Sequence, residues 1–152
     1  MKLYLLAFLL IGYLSNLDNV DSLFIESLES FAVNLYKTVA RHESGNVLLS
    51  PLSANLALSM VLPGARGNTK NELLQALYLR NFTDRQIIES YHSLHYFLSN
   101  VSTSELNILN KIYLSTSYRV TREFSYALKF DMHADGELVD FSNAPQAAEA
   151  IN

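Results

Sequence analysis

The stretch SPLSANLALSMVLPGARGNT, residues 50–69, constrains the fold more than any other part of this sequence. It carries a helix with both ends marked. Ser50 can cap the N-terminus, and Pro51 suits the first helical position, where its missing N–H costs nothing. Pro63 and Gly64 stop the helix. Between these signals Leu52, Ala54, Leu56, Ala57, Leu58, Met60, Val61 and Leu62 leave no broad polar face, and only Ser53, Asn55 and Ser59 interrupt them. A helix that is apolar all round is expected to be hidden on all sides. Ser53, one turn inside it, then needs a partner for its hydroxyl.

The remainder of the chain has to provide that cover. Its 152 residues amount to about one domain, and 49% hydrophobic with 17% charged residues is a globular composition. The formal charge is −4 with the basic residues scattered, which argues against a nucleic-acid partner. There are no cysteines, so disulfides and thiolate metal sites are excluded, and a secreted domain would depend on a large core.

The opening MKLYLLAFLLIGYL has a basic start at Lys2 and an uncharged apolar run over Leu3–Leu14. That run is short for a bilayer span and fits a signal peptide over residues 1–15, with a buried first helix or an uncleaved anchor as the alternatives. Ser15 is tolerable as the last residue, although Tyr13 two before it is not small. After cleavage no membrane association is expected. Two glycosylation sequons, Asn81-Phe-Thr83 and Asn100-Val-Ser102, agree with secretion.

Periodicity predicts the other elements. Phe24, Leu28, Phe31, Leu35 and Val39 mark an amphipathic helix over 22–41. The run NVLL, Asn46–Leu49, reads as a short buried strand. Thr69-Lys-Asn-Glu72 and Thr83-Asp-Arg-Gln86 are two capping boxes, opening helices over 70–78 and 84–99, the second with Ile87, Tyr91, Leu94 and Leu98 on one face. Residues 106–115 alternate as a strand, with Leu106, Ile108, Asn110, Ile112 and Leu114 on one side. Thr121 begins a helix carrying Phe124, Ala127 and Leu128. Asp135-Gly136 is expected to turn the chain into a strand over Glu137–Phe141, and Asn143 with Pro145 opens a last helix. The order gives one α+β unit occupying 22–152.

Catalytic signals are weak. His92 and His95 stand at i and i+3 on a helix, a spacing that can hold zinc, but a third ligand is not signalled and no metal or other cofactor is expected. Asp131-Met-His133-Ala-Asp135 reads as a solvated turn at a helix end. No G-x-S-x-G elbow and no phosphate loop appear, so the chain is not expected to be an enzyme.

The segment NVLLSPLSANLALSMVLPGARGNTKNELLQAL resembles the serpin pattern: a short strand, Ser-Pro-x-Ser, an apolar helix, Gly-Ala-x-Gly-x-Thr and a Leu-rich helix. Asn46, Ser50, Pro51, Ser53, Leu58, Met60, Gly64, Ala65, Gly67, Thr69, Leu73 and Leu77 fall in its register. A second block agrees: Asn110 with Ile112-Tyr113, Phe124, Ala134-Asp135, Val139-Asp140-Phe141, and Ala147, Ile151 and Asn152. Pro63, Leu109 and Met132 depart from the pattern. The resemblance covers residues 23–152.

It implies the N-terminal part of a serpin fold, with helices and strands of a large central sheet, left incomplete. Serpins are much longer, so a partial or truncated sequence lacking the reactive-centre loop is expected. The full-length protein would be a secreted serine protease inhibitor that traps its target by suicide-substrate loop insertion. Asn46, Ser50, Pro51, Ser53, Gly64, Gly67, Thr69 and Asn110 would form its shutter and core motif. A non-inhibitory carrier or storage serpin, or a truncated interaction module, are the alternatives. The partner would be a serine protease met through the missing loop. Glycosaminoglycan binding is not expected, because the helix over 84–99 has one basic residue, Arg85, against Asp84 and Glu89. The buried helix and the strand over 106–115 would both stay uncovered in this chain alone, which predicts association.

Overall fold

The computed structural model describes residues 21–43, 45–99 and 110–152. The leader, Asn100 and the first part of the strand expected from Leu106 lie outside the described residues. Helix α1 spans Ser22–His42, and Asp21 caps it by accepting the Leu23 N–H at 2.9 Å. It is followed by α2 (Pro51–Ser59), α3 (Gly67–Ala76), α4 (Asp84–Ser99), β1 (Lys111–Ser115), α5 (Arg122–Tyr126), β2 (Asp135–Val139) and α6 (Ala144–Ile151). No helix among the described residues is long and apolar enough to cross a membrane.

The core forms where the apolar stripes of α1 and α4 meet α2 and the turn after α3. Phe24, Leu77, Leu79 and Leu94 are completely buried there. The Phe24 ring meets Tyr91 edge-on at 5.0 Å and Phe82 at 6.4 Å, a geometry that aromatic quadrupoles favour. Helix α4 has the expected bounds and buries the expected Ile87, Tyr91, Leu94 and Leu98. Its capping box forms in full. Gln86 Oε1 accepts the Thr83 N–H at 2.9 Å, and Thr83 Oγ1 accepts the Gln86 N–H at 3.3 Å.

The other capping box does not form. Helix α3 starts three residues earlier, at Gly67, whose φ of +54° only glycine adopts freely. Thr69 therefore sits inside the first turn, and the N-cap residue, Arg66, makes no side-chain cap. At the other end Tyr78 takes the left-handed position of a Schellman turn (φ 61°), with the Leu79 N–H donating to Leu74 O at 2.8 Å. Asn34 Nδ2 holds the Tyr78 hydroxyl at 2.6 Å.

Residues 46–49 are not a strand. A strand needs a partner for its backbone groups, and among the described residues β1 pairs with β2 alone. Leu48, expected to be buried, is 77% exposed.

β1 and β2 run parallel, with Lys111 opposite Asp135, Tyr113 opposite Glu137 and Ser115 opposite Val139. Asp135 and Gly136 are thus part of the strand and not a turn. The turn lies earlier. Helix α5, capped by Thr121, continues into a π-helical turn over Ala127–Asp131, closed by the Met132 N–H on Ala127 O at 3.0 Å. His133 then reverses the chain at φ 48°.

Candidate functional site

Pro51 is buried at the first position of α2, and the backbone of Ser50 is in the N-cap conformation, with its carbonyl accepting the Ala54 N–H at 3.1 Å. The Ser50 side chain does not cap. Its Oγ lies 2.8 Å from Ser53 Oγ, and the two exposed hydroxyls satisfy each other. Ser53 therefore finds its partner one turn back, at the surface.

Helix α2 is two-faced in an unexpected sense. Its buried side includes the polar Asn55 and Ser59, 1% and 2% exposed, beside Leu56. Its open side carries Ser53 and Ala57 with Leu58, and Val61 follows just beyond; Leu58 and Val61 are 37% and 39% exposed. The apolar helix is not enclosed.

The buried polar groups converge on α4. The Tyr91 hydroxyl donates to Asn55 Oδ1 at 2.7 Å, and Ser59 Oγ donates to Leu56 O at 2.7 Å. Asn55 Nδ2 has no partner among the described residues. Burial raises the Tyr91 phenol well above its ordinary range. The Asn55–Tyr91 pair was not anticipated from the sequence. A tyrosine on the apolar stripe of α4 needs a polar partner in the core, and Asn55 interrupting the apolar α2 was the signal available.

Gly64 and Phe124 bring the turn after α2 against α5. A Cβ on Gly64 would meet Phe124 Cδ2 and Cε2, both at 2.9 Å. Arg66 Nη1 donates to the carbonyls of Pro63 and Ala65, at 2.8 and 2.7 Å, and ties this turn together. An open cleft of about 490 Å³ lies alongside, between Leu62, Arg66, Lys70, Ile87, Glu123 and Met132. Lys70 on its wall is paired with Asp84 at 2.8 Å.

The remaining motif residues are spread out. Asn46 is exposed ahead of α2, and Thr69 is exposed on α3. Asn110 is half-buried before β1, and its carbonyl accepts the Asp135 N–H at 3.0 Å, which fixes the start of the parallel pair. Asn81 is exposed in the turn ahead of α4. On α4 the single arginine, Arg85, is held by Glu89 at 2.7 Å.

The structure adds a third imidazole to His92 and His95. His133 Nε2 lies 2.9 Å from His92 Nδ1, and its ring stacks on His95 at 4.6 Å. No spacing rule connects residues 41 apart. Even so, no group of three His, Cys, Asp or Glu among the described residues could hold a metal ion.

Residues 26–152 match the family model described as Serpin (serine protease inhibitor). A corticosteroid-binding globulin of Oryctolagus cuniculus is 31% identical over 126 residues, 80% of this chain and 33% of that protein. Serine protease inhibitor 42Dd of Drosophila melanogaster is 30% identical over 123 residues, 78% of this chain and 32% of that protein. The solved structure of cleaved Serpin 42Da superposes with a TM-score of 0.69 at 32% identity, covering 83% of this chain and 34% of that one. The chain thus spans about a third of the length of these proteins.

Proposed function

This chain belongs to the serpin family, and we propose that the full-length protein is a secreted inhibitor of serine proteases that works by loop insertion. The protease's serine hydroxyl attacks the scissile carbonyl of an exposed loop, an ester forms, and the new amine leaves. The cut loop then enters the large sheet as an added strand and carries the acylated protease with it. The protein is consumed as a trap and is not an enzyme. The reading rests above all on the family match over residues 26–152, supported by the inhibitor-named relative.

Within that reading Ser50 and Ser53 are packing and hydrogen-bonding groups. Their paired hydroxyls, with Ala57, Leu58 and Val61, form the open face of α2 on which the sheet would rest and part. Gly64 and Gly67 shape the turn behind it, and the Asn110 carbonyl anchors the strand pair. Secretion is supported by the apolar leader, and glycosylation at Asn81 by its exposure in a turn. The pairing of Arg85 with Glu89 argues against a glycosaminoglycan site on α4.

A second reading, a carrier serpin, is supported by the similarity to a corticosteroid-binding globulin. Thermal unfolding of the full-length protein before and after nicking of its reactive-centre loop tests insertion. A marked rise in Tm on nicking is expected, since an added strand gives new ladder hydrogen bonds. An unchanged Tm would contradict insertion.

A further inference from the structure

We propose that His92, His95 and His133 form an acid-labile latch that fastens α4 to the junction between the π-helical turn and β2. The three rings come from two separate parts of the chain. His92 and His95 stand one turn apart on α4, and His133 sits at the left-handed reversal that feeds β2. The His133–His92 contact, 2.9 Å between Nε2 and Nδ1, needs one N–H and one lone pair. One added proton leaves that bond intact. Protonation of both rings puts two N–H groups face to face and breaks it. His95, stacked at 4.6 Å on His133, then adds a third like charge.

The surroundings do little to neutralise such charge. On α4, Glu89 lies one turn before His92 and is engaged by Arg85. Ser99 Oγ contacts His95 Nδ1 at 3.3 Å and carries no charge. From the π-helical turn Asp131 favours the His133 cation, while Lys129 belongs to the same turn. On β2, Asp135 follows two residues after His133, and Glu137 is engaged by Lys111.

The balance is unfavourable to protonation. Burial first, then the neighbouring imidazoles, hold His95 below its ordinary range. Burial and His92 do the same for His133 against the opposing pull of Asp131. Both groups bind protons less well folded than unfolded. Stability contributed here is complete above about pH 6.5 and is lost as the pH falls below that value, levelling off once the folded imidazoles have themselves protonated. The consequence is a segment, residues 127–135, whose hold on α4 depends on pH. The inference does not depend on which protein the family member inhibits or carries.

The test is amide hydrogen exchange of the full-length protein at pH 7.5 and 5.5, with chelator present and rates corrected for intrinsic chemistry. Residues 127–135 are expected to lose protection several-fold on acidification relative to α1. His133→Asn should abolish that response, because Asn tolerates the left-handed backbone and cannot titrate. His92→Gln, at an exposed helix position, should flatten it as well. Protection that does not change with pH, or a full acid response in the His92→Gln protein, would overturn the proposal.

Discussion

Gly64 and Phe124 are locked together by the absence of a side chain: a Cβ on Gly64 would lie 2.9 Å from two carbons of the Phe124 ring. The contact joins the turn after α2 to α5, and through it to the turn that feeds β2. It gives a physical reason for glycine at a position where the family pattern has one.

Gly64→Ala should therefore destabilise the full-length protein by about 1–3 kcal/mol, the usual cost of forcing a methyl group into a filled site. Chemical denaturation reads the cost. Phe124→Leu in the same background should recover part of it, since a smaller side chain yields the space. A neutral Gly64→Ala would show that the ring swings aside freely.

Tyr91→Phe should cost about 1–3 kcal/mol, because it leaves the buried Asn55 amide without its bond. Asn55→Leu combined with Tyr91→Phe should recover most of that loss, since both polar partners are then gone. A double-mutant cycle separates the coupling from the packing change.

The same tyrosine predicts an alkaline slope. Its phenol keeps its proton to a higher pH in the folded state than in the unfolded one. The stability it contributes is complete below about pH 10 and declines as the pH rises past that value. Denaturant melts between pH 9 and 11 should show this decline, and Tyr91→Phe should remove it.

Expressed through a secretory pathway, the protein should carry a glycan on Asn81, in an exposed turn of the described chain. Asn81→Gln should remove one enzyme-sensitive mobility shift on a gel. An identical shift in mutant and parent would rule this site out.

The 152-residue chain on its own exposes Leu48, Leu58, Val61, Leu138, Phe141 and Ile151. It should associate in a concentration-dependent way, seen by sedimentation. A monomer with one cooperative melt would contradict this.

Local signals in the sequence were legible where they needed no distant partner. The apolar stripes placed α1 and α4, and Thr83, Thr121 and Asn143 capped their helices as their side chains dictate. What failed depended on contacts remote in sequence. Asn46–Leu49 has the composition of a strand, yet no strand lies beside it among the described residues. Asp135-Gly136 has turn composition, but pairing with Lys111 and Ile112 draws it into β2 and moves the reversal to His133. On α2 periodicity gave no buried side, and the observed one holds Asn55, whose Oδ1 accepts from the distant Tyr91 hydroxyl. The third histidine was illegible for the same reason.

The central claim is that the full-length protein traps a serine protease. Its most direct test is to mix that protein with a panel of serine proteases and run the products on a denaturing gel. The account predicts, for at least one protease, a detergent-resistant adduct with the mass of protease plus cut inhibitor. Across the panel, cleavage of the loop with no adduct and full recovery of protease activity would contradict it and favour the carrier reading.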